Sequence, residues 1–485
     1  MILFVTGLSN DSEQIRSVVC RLLQRGLNFT GCAEQCIPSE LPENWEEYDA
    51  LIIDSAILER YADDPDMRKR LENYAGTKFV LPLYNRLSPD SGNWRDMTLT
   101  DVNMFATAAG LRRGELPERP VAELIPLCVE RIRHFYSKEF EGRDILGEFF
   151  LHLPLAMLSL EKSSYAPDGW SNYINDVLQK SFQIRDFAGD HDQVAAWNWA
   201  HLYSLRTGDA GAAEFMLHIC DTLRARRPRT PEGVISPGGF VDDPLFFSKA
   251  GTHRFCTQAG TVAKRNLVMN ENFHYLAGLF ASAYEISGKQ SYLDEAVKML
   301  LTIAANQLDP SDNLLYHASC RGKAVGSKWA RGCGHGLYGA YYMLRMAPSM
   351  PDHVKQLAID FIDRVGHGLA AVQLPCGAWR NVLDSPVGEP ELSSTAMFAA
   401  LYSTLINEKL LDRDFYLPML SGAFSALRRY VWRGVTINTA GTFVAGDNPD
   451  YYLRRPDFFY PVAWIIPALI ETEKVLNYSN KTQGV

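Results

Sequence analysis

The run Trp329-Ala330-Arg331-Gly332-Cys333-Gly334-His335 gathers an indole, a guanidinium and an imidazole within two helical turns' worth of chain. An indole face packs well on a sugar ring, and a guanidinium fork binds a carboxylate or vicinal hydroxyls through paired hydrogen bonds. With an ordinary pKa of about 6.5, His335 can serve as a general acid or base, or hold an anionic sugar when protonated. The glycines would let the backbone come close to a sugar. The plainer reading of the same residues is core packing for Trp329 and a structural ion pair for Arg331. Ordinary glycoside hydrolysis needs two carboxylates about 5 to 9.5 Å apart, and the chain offers Asp192, Glu271 and Glu391. Asp192 and Asp190 lie in Gly189-Asp190-His191-Asp192-Gln193, ahead of an apolar run, where an aspartate is equally an ordinary N-cap. Glu391 precedes Ser393-Ser394-Thr395, either at a helix start or in a loop facing water. The stretch Gly446 to Arg455 is polar and aromatic at once, so Asp447, Tyr451 and Tyr452 are expected to roof a cleft. The Asp-His-Asp string lacks third and fourth ligands at recognisable spacing, so no metal and no cofactor is expected.

Two different sequence patterns must position these residues. From residue 1 to about 118, short apolar runs (Ile2 to Val5, Ala50 to Ile53, Lys78 to Leu81) alternate with amphipathic stretches (Ile15 to Leu23, Met67 to Tyr74), the pattern of a small parallel α/β unit. Gly7 and the polar Ser9 to Ser12 follow the first run, but neither phosphate-binding glycine motif is present, so an accessory role is expected. The segment from Arg112 to Pro120 is charged, carries two prolines and marks a linker. From 119 to 485 the period is helical: Phe273, Leu276, Ala277, Phe280, Ala281 and Tyr284 fall on one face, and Val462, Ile465, Ile466, Leu469 and Ile470 repeat the pattern. About a dozen such segments are expected, near 121–136, 144–163, 171–186, 193–206, 211–226, 271–287, 290–306, 334–346, 352–370, 393–408, 413–430 and 461–478. Joined by alternately short and long connections, they suit a closed ring of helical hairpins, a mainly α toroid behind the N-terminal α/β domain.

Of the 485 residues, 47% are hydrophobic and 22% charged, ordinary for a chain with a large core. A net charge of -9 without a basic run of five gives no footprint for nucleic acid. No stretch of eighteen apolar residues can span a membrane, and the start lacks a basic signal-peptide region. Nine cysteines without metal-like spacing fit a reducing compartment, so the cytoplasm is expected. Self-association stays open.

The order Asn270-Glu271-Asn272-Phe273-His274, Tyr284 to Lys289, Asn313 to His317, Trp329 to His335, Gly377 to Asp384 and Glu391 to Phe398 is similar to the unsaturated uronyl and rhamnogalacturonyl hydrolases, glycoside hydrolase families 88 and 105. The likeness runs over roughly 190–480 and implies an (α/α)6 barrel whose cleft takes a terminal uronic acid, often unsaturated, from an oligosaccharide of a plant, algal or microbial polysaccharide. It implies substrate contact for Trp329 and Arg331, a matching family histidine at His317, and a second important aspartate at Asp192. Two departures stand out. The family's catalytic aspartate aligns with Asn270, whose amide cannot donate a proton at neutral pH. His335 stands where the family has a closing tryptophan. Glu271 is adjacent to Asn270 but points about 100° away on a helix. Catalysis is therefore expected of Asp192, Glu271 and His335, and substrate binding of Asp190, Asn270, His317, Trp329, Arg331, Glu391, Asp447, Tyr451 and Tyr452. A polysaccharide lyase or uronate epimerase on the same barrel, or a non-catalytic carbohydrate-binding protein, is the alternative.

Overall fold

The computed structural model describes residues 2–5, 32–35, 41, 43–48, 50–54, 64–77, 79–83, 117–134, 155–183, 199–236, 254–257, 260–263, 266–385, 390–432, 435–436 and 462–482. Near the N-terminus, β1 (Ile2–Val5), β2 (Cys32–Gln35), β3 (Ala50–Asp54) and β4 (Phe79–Leu83) form a wholly parallel sheet in the order β2-β1-β3-β4. Helix α1 (Pro65–Thr77) is part of the crossover from β3 to β4, which a parallel pair requires. It buries Leu71 and Tyr74, and the Tyr74 hydroxyl donates to the Tyr48 carbonyl at 3.0 Å. Sequence reasoning found three of these strands and missed β2, because Cys-Ala-Glu-Gln is short and half polar. The stretch Ile15 to Leu23, expected to be helical, lies outside the described residues.

From Val121 onward the described residues hold twelve helices: α2 (Val121–His134), α3 (155–161), α4 (Trp170–Gln183), α5 (Trp199–Thr207), α6 (Ala210–Arg226), α7 (Asn270–Ser287), α8 (Gln290–Asn306), α9 (Ala330–Met346), α10 (Asp352–Val372), α11 (Leu392–Asn407), α12 (Arg413–Tyr430) and α13 (Val462–Thr482). Their burial divides them. Along α7, α9 and α11 nearly every residue of the first three turns is buried, whatever its direction, which marks helices enclosed by others. In contrast α8 buries Tyr292, Leu293, Ala296, Met299, Leu300 and Ile303, a single stripe at helical spacing, so it lies outside. Inner and outer helices alternate as antiparallel hairpins, and α13 packs against α11 and α2, bringing the last helix to the first and closing the ring. The architecture is the (α/α)6 barrel.

Short turns join inner to outer helices. Gly288, with φ at 67°, ends α7 in the left-handed conformation that spares it a Cβ clash, and α8 starts two residues later. Asp209 caps α6 by accepting from the Gly211 and Ala212 amides at 2.8 and 3.3 Å. The opposite ends are joined by long connections, and there α7, α9 and α11 all begin.

One boundary differs from expectation. The helix expected from 334 starts at Ala330, so the Trp329 to His335 run is no loop: it opens α9. Its glycines depress helix propensity, but packing overrides that cost. A Cβ on Gly332 would lie 2.8 Å from the Trp329 ring, one on Gly336 2.7 Å from Leu315, and one on Gly339 2.3 Å from Phe273. The glycines thus admit neighbouring side chains and let α7 and α9 meet closely. The expectation that they clear space for a sugar is corrected: protein fills that space.

Candidate active site at the start of the inner helices

Each inner helix here is introduced by a short strand that another loop holds. Val268–Met269 pairs with Ala318–Cys320 ahead of α7, Trp329 bridges to Val382 ahead of α9, and Pro390–Glu391 pairs with Trp379–Arg380 ahead of α11. These pairings fix the first turns of three helices against one another. Asn270 is fully buried; its amide group donates to the Tyr316 carbonyl at 3.0 Å, while its side-chain oxygen finds no hydrogen-bond partner among the described residues.

Glu271, the next residue, turns to a different neighbour. One carboxylate oxygen lies 2.5 Å from His317 Nε2, with the histidine 2% and the glutamate side chain 11% exposed. Burial pushes the Glu271 carboxyl up, but the imidazoles of His317 and His335 outweigh it and hold this group far below the usual carboxylate range. An ionised Glu271 accepts protons and hydrogen bonds; it does not donate. The His317 ring also lies 4.9 Å from the ring of Trp329, whose Nε1 donates to the Asn381 amide oxygen at 3.0 Å. The buried Arg331 guanidinium sits 4.9 Å above the same indole. Trp329 is thus clamped by His317, Arg331 and Asn381.

Arg331, His335, Tyr338 and Tyr342 follow at i, i+4, i+7 and i+11 and descend one face of α9. His335 is 1% exposed and meets His274 of α7, with the two Nδ1 atoms 2.7 Å apart. His274 lies among the rings of Tyr275, Tyr338 and Tyr342 at 5.1, 5.6 and 5.3 Å. Sequence reasoning passed over His274 because it interrupts an apolar run. Its place four residues after Asn270, on the same helical face, was the available signal.

Glu391 has a structural task. It caps α11, accepting from the Ser393 and Ser394 amides at 3.1 and 2.7 Å and from both serine hydroxyls, and it is fully buried. The reading of a loop carboxylate facing water is therefore corrected to a buried cap, because four donors converge on it. Below the site, Lys328 anchors the loops. Its Nζ lies 2.7 Å from Asp309, 2.5 Å from Asp312 and 3.8 Å from Asp384. Burial opposes the Lys328 charge, yet hydrogen bonds to Asp309 and Asp312 raise its pKa above the ordinary lysine value. No group of three His, Cys, Asp or Glu among the described residues is arranged to hold a metal ion. Asp190, Asp192, Asp447, Tyr451 and Tyr452 lie outside the described residues.

The site therefore joins Asn270, Glu271, His317, Trp329, Arg331 and His335, drawn from the starts of α7 and α9 and from the connection that leads into α9. The sequence model for Glycosyl Hydrolase Family 88 matches residues 275–476. Over those residues the chain is similar to this family. Among solved structures, a possible member of glycoside hydrolase family 105 from Klebsiella pneumoniae aligns with a TM-score of 0.59 at 18% identity, covering 75% of this chain and 96% of that one. An unsaturated glucuronyl hydrolase from Bacillus sp. GL1, responsible for glycosaminoglycan degradation, aligns at 0.53 and 14%, covering 73% and 97%. A polysaccharide lyase aligns at 0.53 and 15%, covering 74% and 98%. No curated protein matches the chain. These structural likenesses establish the barrel, and the family-88 match falls on the helices that carry His335 and Glu391.

Proposed function

We propose that the family-88 relative is a cytoplasmic glycoside hydrolase that releases a terminal uronic acid, saturated or unsaturated, from an oligosaccharide. The observation that carries this reading is the buried acid–base cluster of Glu271, His317 and His335 set beside Trp329 and Arg331. Three inner helices begin there together, and helix N-termini favour an anionic group such as a uronate carboxylate. Arg331 would take that carboxylate, with Trp329 beneath it orienting the guanidinium at the substrate.

The roles follow from charge. With Asn270 unable to donate and Glu271 held ionised, the proton donor is a histidine, and His335 takes that part. Glu271 orients His317 and accepts the proton of the incoming water through it. Asn270, with an unpartnered oxygen, binds substrate or water. Asp192, as a catalytic carboxylate, and Asp190, Asp447, Tyr451 and Tyr452, as substrate-binding residues, remain part of the proposal.

A second reading rests on the two imidazoles in contact: a base beside Arg331 could remove the proton next to the uronate carboxylate, as a lyase or epimerase would, with the guanidinium steadying the enolate. Incubation with saturated and unsaturated uronic oligosaccharides, followed by the ultraviolet absorbance of the conjugated double bond, separates these. Loss of absorbance indicates hydration, gain indicates elimination, and free sugar without change indicates direct hydrolysis. Arg331→Gln and His335→Gln are each expected to lower turnover by about a hundredfold or more. Full activity in both variants, or no reaction across the panel, rejects the assignment, and the latter leaves a binding protein.

A further inference from the structure

The candidate active site occupies the starts of the inner helices, and their far ends enclose a second space. A cavity of about 460 Å3 lies between the second halves of α9 and α11, the end of α3, Leu202 of α5 and one face of α13 that carries Trp464, Pro467, Glu471 and Lys474. Small-molecule sites commonly measure about 300–1,000 Å3, so this one has room for a ligand. A layer of tyrosines stands between it and the candidate active site. Tyr338 and Tyr342 line the cavity, and the same two rings lie 5.6 and 5.3 Å from that of His274.

The lining is aromatic inside and polar at the rim. Tyr338, Tyr342 and Trp464 are buried, whereas Tyr341 is partly open to solvent and lies under the Arg345 guanidinium at 5.9 Å. At the rim the amide group of Asn407 donates to the Glu471 carbonyl and carboxylate at 3.1 and 2.9 Å, which leaves the Asn407 side-chain oxygen as an acceptor. The rim charges are already matched. Arg345 pairs with Glu408, and Lys474 pairs with Glu471 at 2.8 Å, while Lys162 is exposed and keeps its charge in water.

A charged ligand would therefore lose its hydration here without gaining a counter-ion of its own. An anion would also meet the negative ends of α3, α9 and α11, which finish at this rim. That is the reverse of the candidate active site, where inner helices begin and an anion is favoured. A purely apolar ligand would leave the rim groups without hydrogen bonds. A pyranose meets none of these costs, because it has a C–H face for aromatic rings and hydroxyls around its edge. We infer that this cavity is a second carbohydrate site, one that takes a neutral sugar ring rather than a uronate: the ring lies against Tyr341, and its hydroxyls bond Asn407 and the Arg345–Glu408 pair. This inference does not depend on the proposed hydrolase activity.

Saturation-transfer nuclear magnetic resonance on the full chain tests this with the methyl glycosides of glucose, galactose and mannose, and with glucosamine and glucuronic acid as charged counterparts. At least one neutral glycoside should give a saturable signal. Thr404→Trp, which fills the cavity from α11, should abolish that signal, and Asn407→Ala should weaken binding about tenfold, the worth of one hydrogen bond. Arg331→Gln, at the other end of α9, should leave it unchanged. Absence of saturable binding by every neutral glycoside overturns the inference. So does a signal that survives Asn407→Ala undiminished or vanishes with Arg331→Gln, and so does a charged sugar that binds as tightly and with the same sensitivity to Asn407→Ala. If Thr404→Trp does not fold, the exposed Asn407→Ala change decides the matter. A chain that binds neutral sugar here yet turns over no uronide would sink the hydrolase reading alone.

Discussion

Glu271 shows how one residue's surroundings set its chemistry. Its carboxyl, ordinarily near 4.5, is held well below that in the folded chain by His317 and His335 against the opposing effect of burial. Below the unfolded value the unfolded chain therefore binds a proton that the folded chain refuses. Stability contributed by this group is present above about pH 4.5 and is lost as pH falls toward the depressed folded value, at up to about 1.4 kcal/mol per pH unit. Urea unfolding of the parent and of Glu271→Gln between pH 6 and 3 should show the parent losing more stability over that window. Parallel loss in both would contradict the Glu271–His317 pairing. At this scale the sequence was only partly legible. Trp329, Arg331 and His335 could be singled out by type and spacing, but His274 is 61 positions from its partner. Nor does any local pattern announce that Asn381 would hold the Trp329 indole. Contacts that close a ring are invisible to periodicity.

Among the elements, α7 and α9 owe their close approach to glycines. Replacing Gly339 by alanine should gain about 1 kcal/mol of helix propensity in an open helix. Here the new Cβ would stand 2.3 Å from the Phe273 ring, so net destabilisation of about 1–3 kcal/mol is expected from overpacking. Thermal unfolding decides the sign, and a variant as stable as the parent would mean that the helices have room to spare. Most helices could be read from the sequence because outer ones such as α8 show one apolar stripe. Inner ones show apolar residues on all sides, and their starts were harder to place. The four-residue error at Ala330 arose because Gly332 and Gly334 look like a loop until the side chains that fill their places are known.

For the molecule as a whole, the sequence pattern proposes two units, 1–118 and 119–485, and the residues at that division touch α12. Glu118 accepts from Ser425 at 2.6 Å and pairs with Arg428 and Arg429 at 2.9 and 3.1 Å, and the Arg119 amide donates to the Arg428 carbonyl. A chain beginning at Pro117 should fold into the barrel by itself and unfold in one cooperative transition. Starting at Val121 should cost about 1 kcal/mol, the modest value of half-exposed pairs. A chain ending at residue 461 lacks α13 and leaves the ring open, so it should show no cooperative transition; a sharp one would mean that closure is dispensable. Lys328 ties Asp309 and Asp312 of its own connection to Asp384 of the next, in the way a bound calcium ion ties loops in other proteins, with one difference. Its cation is tethered to the backbone and cannot be dialysed away or exchanged. The order around Trp329 is therefore indifferent to chelators, and its burial leaves dissolved salt little means of loosening it.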